Sequence, residues 1–174
     1  MSKRDLKKYL KNLDNNELIK IILDTYSNNK GAKEYLDYLV EPNEKEQFLK
    51  AKKIIEEEYF PEKHFPPKSR LSVAKRAIAD FKRFKPSTEL VAELMLFLVE
   101  QCCEFADEFG VMDEPFYDSI ENNYFKSLDF IYKNDLSNKF KLKAKKIVNL
   151  SPDSMFNSEI MCDTFSRFYG DIYE

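Results

Sequence analysis

Residues 87–110, STELVAELMLFLVEQCCEFADEFG, decide the fold. Pro86, Ser87 and Thr88 precede the apolar residues, and a hydroxyl there can cap the free amides that open a helix. Gly110 follows them and can take the left-handed conformation that closes one. Between these signals lie Leu90, Val91, Leu94, Met95, Leu96, Phe97, Leu98, Val99, Cys102, Cys103, Phe105, Ala106 and Phe109. That set is too wide for a single apolar stripe, so the middle of the helix is predicted to be covered on most sides. Burying its large side chains would contribute on the order of 15–30 kcal/mol gross, most of it offset by lost chain entropy.

The flanking sequence adds helices and no strands. Ser2 with Asp5, and Asp14 with Glu17, are capping signals, followed at helical spacing by Leu6, Tyr9 and Leu10 and by Leu18, Ile19, Ile22, Leu23 and Tyr26. A loop over 27–31 leads to a short helix over 32–39, ended by Pro42. Asn43 and Glu46 begin another helix, carried by Phe48, Leu49, Ile54, Ile55 and Tyr59. Residues 61–68, with three prolines and His64, form the clearest linker; packing of Phe60 and Phe65 would order it. A basic helix over about 69–84 precedes the central one. Asp113 and Pro115 start a long helix through Phe116, Ile120, Tyr124, Leu128 and Ile131. A lysine-rich helix covers 137–150. Asp153 opens the last helix, with Phe156, Ile160, Phe165, Phe168 and Ile172 pointing inward. The expected fold is all-α: a single domain, residues 1–174, in an antiparallel array of about seven to nine helices around 87–110.

Composition narrows the function classes. The net charge of −3 gives no overall field toward nucleic acid or an anionic membrane, so any such attraction is local. The longest apolar run, 94–99, is far too short to span a membrane, and no membrane partner is expected. Cys102, Cys103 and Cys162 make neither a disulfide framework nor a CxxC pair and read as small apolar fillers in a cytoplasmic protein.

Three charge patterns carry what chemistry there is. Residues 68–85 hold Lys68, Arg70, Lys75, Arg76, Lys82, Arg83 and Lys85 against the single acid Asp80, with Phe81 and Phe84 among them. Arg70, Lys75, Arg76, Lys82 and Arg83 are the candidate contacts for an anion or a phosphate backbone. The plainer reading is a solvated helix face whose apolar side is Val73, Ala77, Phe81 and Phe84. Lysines 139, 141, 143, 145 and 146 could extend such a surface. Glu89, Glu93, Glu100, Glu104 and Asp107 share one side of the central helix, and Glu114, Asp118 and Glu121 repeat the pattern on the next; both rows are expected near the lysines of neighbouring helices. With His64 the lone histidine, no Glu-x-x-His pair exists to build a dinuclear site. No phosphate loop, GxSxG or dinucleotide fingerprint occurs, so no catalytic residue, metal or cofactor is assigned. The segment LKAKKI occurs at 49–54 and at 142–147, with VAKRAI at 73–78, but the flanks do not match and no fixed period emerges.

Several stretches together resemble a known family: SKRDLKKYL at 2–10, EYFP at 58–61, ELMLFLVE at 93–100 with FADEFG after it, and FYDSIENNYFKSLDFI at 116–131. The chain resembles the bacterial domain of unknown function numbered six-one-five-five. The resemblance covers most of the chain through helix and packing motifs. It implies a small cytoplasmic bacterial protein and brings no catalytic residues with it. The function expected is a non-enzymatic helical interaction or adaptor module with a protein partner. The alternative is nucleic-acid binding through 68–85 and the lysines of 139–146.

Overall fold

The computed structural model describes residues 1–63, 65–110, 113–153 and 157–170. His64, Phe156 and Ile172 lie outside the described residues. Among those described there are nine helices and no strand. They are α1 (Lys3–Leu10), α2 (Asn15–Asn28), α3 (Lys30–Val40), α4 (Glu44–Tyr59), α5 (Leu71–Arg83), α6 (Thr88–Phe109), α7 (Glu114–Lys133), α8 (Ser137–Leu150) and α9 (Asn157–Tyr169). The chain forms two compact units, Met1–Asn43 and Glu44–Glu174.

The first unit is built from local signals. Ser2 and Asp5 form a reciprocal capping box, as do Asp14 and Glu17, each satisfying two amides that a helix start leaves open. The loop expected over 27–31 is absent. Asn29 alone separates α2 from α3: its amide donates to Thr25 while its side chain accepts from the Ala32 amide at 2.9 Å. One residue that closes one helix and caps the next replaces a longer connection. No residue of α1, α2 or α3 is buried.

The second unit is built around α6. Its buried residues include Val91, Leu94, Leu96, Phe97, Leu98, Val99 and Cys103, which cover most of the circumference of the helix and leave one acidic face. They meet α4, α5, α7 and α8, so the width of the apolar set in 87–110 translates directly into central placement. Gly110 closes the helix at φ 86 and ψ −162, a positive φ that favours glycine as expected, but extended in ψ rather than left-handed helical. Ser87 sits at the N-cap without a side-chain bond, contrary to the capping expected at that end. Asp113 does cap α7, accepting from the Phe116 amide at 3.1 Å. Tyr124 of α7 is fully buried and donates its hydroxyl to the Ala144 carbonyl of α8 at 3.0 Å, giving a polar group inside the core its partner.

Three expectations at the level of single side chains shift. Leu49 and Ile54 of α4 are exposed, while Ala51, Ile55 and Tyr59 are buried. Ile160 of α9 is exposed, and its neighbour Met161 is buried instead. On α5 the buried stripe is Ala74, Ala77, Ile78 and Phe81, rotated from the one predicted. Small alanines there let the helix approach its neighbours closely, which a hydrophobicity count undervalues. Around the 61–68 segment, the Phe60 and Phe65 rings each lie 6.4 Å from the Phe109 ring, and the Ser69 amide donates to the Glu58 carbonyl.

Candidate functional site

The charged residues singled out in the sequence take three different roles. Arg70, at the N-cap of α5, is held by Glu58 of α4. Its Nε and one terminal nitrogen donate to the two carboxylate oxygens at 2.9 and 2.6 Å, and its backbone amide adds a third bond at 3.2 Å. Glu58 is 7% exposed, and it falls on the buried α4 stripe with Ala51 and Ile55. The hydrogen-bonded Arg70 guanidinium holds its carboxyl below the usual range in spite of that burial. Arg70 is therefore committed to the fold.

Arg76 and Arg83 flank Asp80 on the outer face of α5, at 3.8 and 3.5 Å. Both arginines are largely exposed, so these are weak surface pairs.

Lys75 and Lys82 stand elsewhere. They line a cleft of about 260 Å³ between α5, α6 and α7, together with Lys126 of α7. Ile78, Met95 and Leu98 form its apolar part, and Asn123 and Ser127 its polar edge on α7. The Lys82 ammonium lies 3.6 Å from the Met95 sulfur and 5.0 Å from the centre of the Phe130 ring. Burial of that ammonium lowers its pKa, although the residue as a whole stays at the surface. No carboxylate lines this cleft among the described residues.

Three of the five α8 lysines are spent against α6. Lys139 pairs with Glu89 and Lys143 with Glu93; Lys143 also lies 3.8 Å from Glu100, and Lys146 2.7 Å from Glu100. The partners advance together along both helices, so α6 and α8 run in the same direction and α7 returns between them. Glu89, Glu93 and Glu100 of the acidic row thus meet lysines as expected, whereas Glu104 accepts from the Gln101 side-chain amide at 2.6 Å. No lysine pairs with the second row among the described residues; its Glu121 accepts from the Asn157 side-chain amide at 2.8 Å. Glu104, next along α6, has its pKa raised by burial and by the charge on Glu100.

The thiols are core groups. Burial pushes Cys102 up to about 12 and raises Cys103 as well, with the nearby Cys102, Glu104 and Glu100 adding to the latter. Neither is a thiolate nucleophile at neutral pH. Among the described residues no group of three or more His, Cys, Asp or Glu side chains could hold a metal ion.

Sequence reasoning missed two partners. Glu58 carries a readable signal, because an acid on an apolar stripe requires a cation. Lys126 carries none, since its place beside Lys75 and Lys82 depends on how α7 crosses α5.

A family model, Family of unknown function (DUF6155), matches residues 1–170. The chain belongs to this family. No curated protein and no solved structure matches it. Among the described residues, no helix is long and apolar enough to cross a membrane.

Proposed function

We propose that this family member is a non-enzymatic helical interaction module whose N-terminal unit binds a partner protein. The observation that carries the reading is the apolar face of α2 and α3. Leu23 is 59% exposed and Val40 87%, and with Ile22, Leu36 and Leu39 they line a groove of about 500 Å³. A helical unit with no buried residue lacks the core that would make its apolar side chains stable in water. Covering those five side chains would contribute on the order of 5–10 kcal/mol gross, the scale on which an amphipathic helix docks into a groove. The charged residues of the lining, Asp37 and Glu41, are both acidic. The partner that fits is an amphipathic helix with lysine or arginine beside its apolar stripe. The free cysteines suit a reducing, cytoplasmic bacterial setting.

Nucleic-acid binding has weaker support. Arg70 is occupied by Glu58, Arg76 and Arg83 share Asp80, and three α8 lysines face α6 acids. With these six cations paired, less of the predicted basic surface is left to neutralise phosphates.

The test compares the whole protein with Leu23→Glu/Val40→Glu. A defined partner, purified and titrated by calorimetry, is expected to bind the parent with micromolar or tighter affinity and the variant at least tenfold more weakly. Three results would overturn the reading. One is hydrogen exchange showing the α2–α3 face already protected in the isolated monomer. Another is a concentration-dependent dimer that the variant abolishes. The third is tight DNA or RNA binding at about 50 mM salt that disappears at 200 mM and on reversing Lys75, Arg76, Lys82 and Arg83.

A further inference from the structure

The cleft between α5, α6 and α7 has a charge balance unlike the rest of the second unit. Lysines 75, 82 and 126 line it without a carboxylate in the lining. None of the acids on the same three helices is in that lining, and five of them are paired elsewhere. Asp80 of α5 faces Arg76 and Arg83; Glu89, Glu93 and Glu100 of α6 face α8; Asp129 of α7 pairs with Lys133 at 2.7 Å. Three like charges around one concavity repel one another, and that repulsion is relieved when an anion enters.

The apolar part of the cleft determines what kind of anion. Ile78 and Leu98 are buried at its base, and Met95, with a flexible and polarisable side chain, adapts to a flat or aliphatic group. Lys82 is already drawn over this apolar part, against Met95 and the Phe130 ring. Its ammonium is partly stripped of water without a carboxylate to compensate, so a ligand anion there gains more than it would at a solvated lysine. The Ser127 hydroxyl donates to the Asn123 carbonyl of its own helix at 2.7 Å, and the Asn123 side-chain amide spends one of its two N–H groups on the Ser119 carbonyl at 2.6 Å, so the three ammonium groups are the charged donors of the site, with one Asn123 N–H beside them.

We infer that this cleft binds a small amphipathic anion, one phosphate or carboxylate head on an apolar body, with Lys75, Lys82 and Lys126 around the head and Ile78, Met95 and Leu98 against the body. A volume of about 260 Å³ sits just below the usual range of small-molecule pockets and accommodates about ten non-hydrogen atoms. The inference is independent of the partner surface on the first unit.

The experiment titrates the full chain with phenyl phosphate and with hexanoate, each against its separated parts: inorganic phosphate, phenol and hexanol. Calorimetry reads affinity, and the Met95 methyl resonance reads location. At least one of the two amphipathic anions is expected to bind tenfold or more tightly than inorganic phosphate and than the matching alcohol, shifting the Met95 signal. Lys82→Met/Lys126→Met is expected to weaken that binding tenfold or more without lowering the melting temperature; Lys75→Met/Lys126→Met serves if the first pair does not fold. Leu23→Glu is expected to leave it unchanged. Absence of binding by both anions, inorganic phosphate binding equally well, or undiminished binding by the lysine variants would each overturn the inference.

Discussion

Helices α5 and α8 both pack on α6 and both carry a dense set of cations, yet they use them in opposite ways. Along α8 the lysines at 139, 143 and 146 share one face, as do the α6 acids at 89, 93 and 100, and the two rows close against each other in the same order. Along α5 no such row faces the lysines. Arg76 and Arg83 share one acid on their own helix, and Lys75 and Lys82 turn toward a cleft with no acid in its lining. The same residue type therefore fastens two helices in one place and leaves charge for a ligand in another. The deciding factor is the face of α6 that each helix meets, acidic toward α8 and apolar toward α5.

The severest test of this comparison removes the helix on which both rest. Leu94 is fully buried in α6. Leu94→Glu would place an uncompensated carboxylate in the core, a cost of at least about 4 kcal/mol, and the second unit is expected to lose its cooperative melting transition. Circular dichroism checks this. A variant melting within a degree or two of the parent would mean that α6 is not the common support.

Arg70 is the one α5 cation used in the α8 manner, and its removal comes next in size. Arg70→Ala leaves the nearly buried Glu58 carboxylate without its bidentate partner, and a fall in melting temperature of roughly 5 °C is expected at pH 7. The pH dependence has a definite sign. The folded-state pKa of Glu58 is lowered, first by the Arg70 hydrogen bonds. Its stabilisation is therefore fully present above the ordinary value of 4.5 and is lost as the pH falls through the lower folded value. Parent and variant should differ most at neutral pH and converge in acid. A gap that stays constant from pH 7 down through the acid range would show that Arg70 contributes by packing alone.

The legibility of these features follows from how local their causes are. The capping boxes of α1 and α2, the Asp113 cap of α7 and the Gly110 stop depend on residues a few positions apart, and each was readable in the sequence. The central place of α6 was readable because its own apolar set is too wide for any other position. That acids of the α6 row would lie near lysines of a neighbouring helix was legible from their shared face, though neither the helix chosen nor its direction was. What could not be read depends on crossing geometry between distant segments. LKAKKI shows this within a single motif: Ile147 is fully buried in α8, whereas Ile54, the same residue of the repeat in α4, is 45% exposed. The α5 stripe misled because its alanines count little on a hydrophobicity scale yet define the contact. Lys126 was invisible for a related reason, as nothing near it in sequence marks it as facing α5.

The smallest effect sharpens the comparison most, because the two helices are expected to respond differently to the same substitution. Lys143 lies between Glu93 and Glu100, with its side chain 22% exposed and that of Glu100 12%. Lys143→Met keeps most of the stem's packing and removes the charge between two carboxylates, one of which is mostly shielded from water. The cost expected is about 1 kcal/mol, above the usual surface pair and below a fully buried one. For Lys75→Met the charge removed faces Lys82 and Lys126 across the cleft rather than an acid. Losing it relieves repulsion, so stability should stay within about 0.5 kcal/mol of the parent or rise slightly. Urea unfolding of the two variants at low and at high salt separates the causes. Salt should narrow the deficit of Lys143→Met, by screening the repulsion left between Glu93 and Glu100, and should reduce whatever gain Lys75→Met shows. Equal losses in the two variants would mean that the α5 lysines also have acidic partners, and the contrast between the helices would fail.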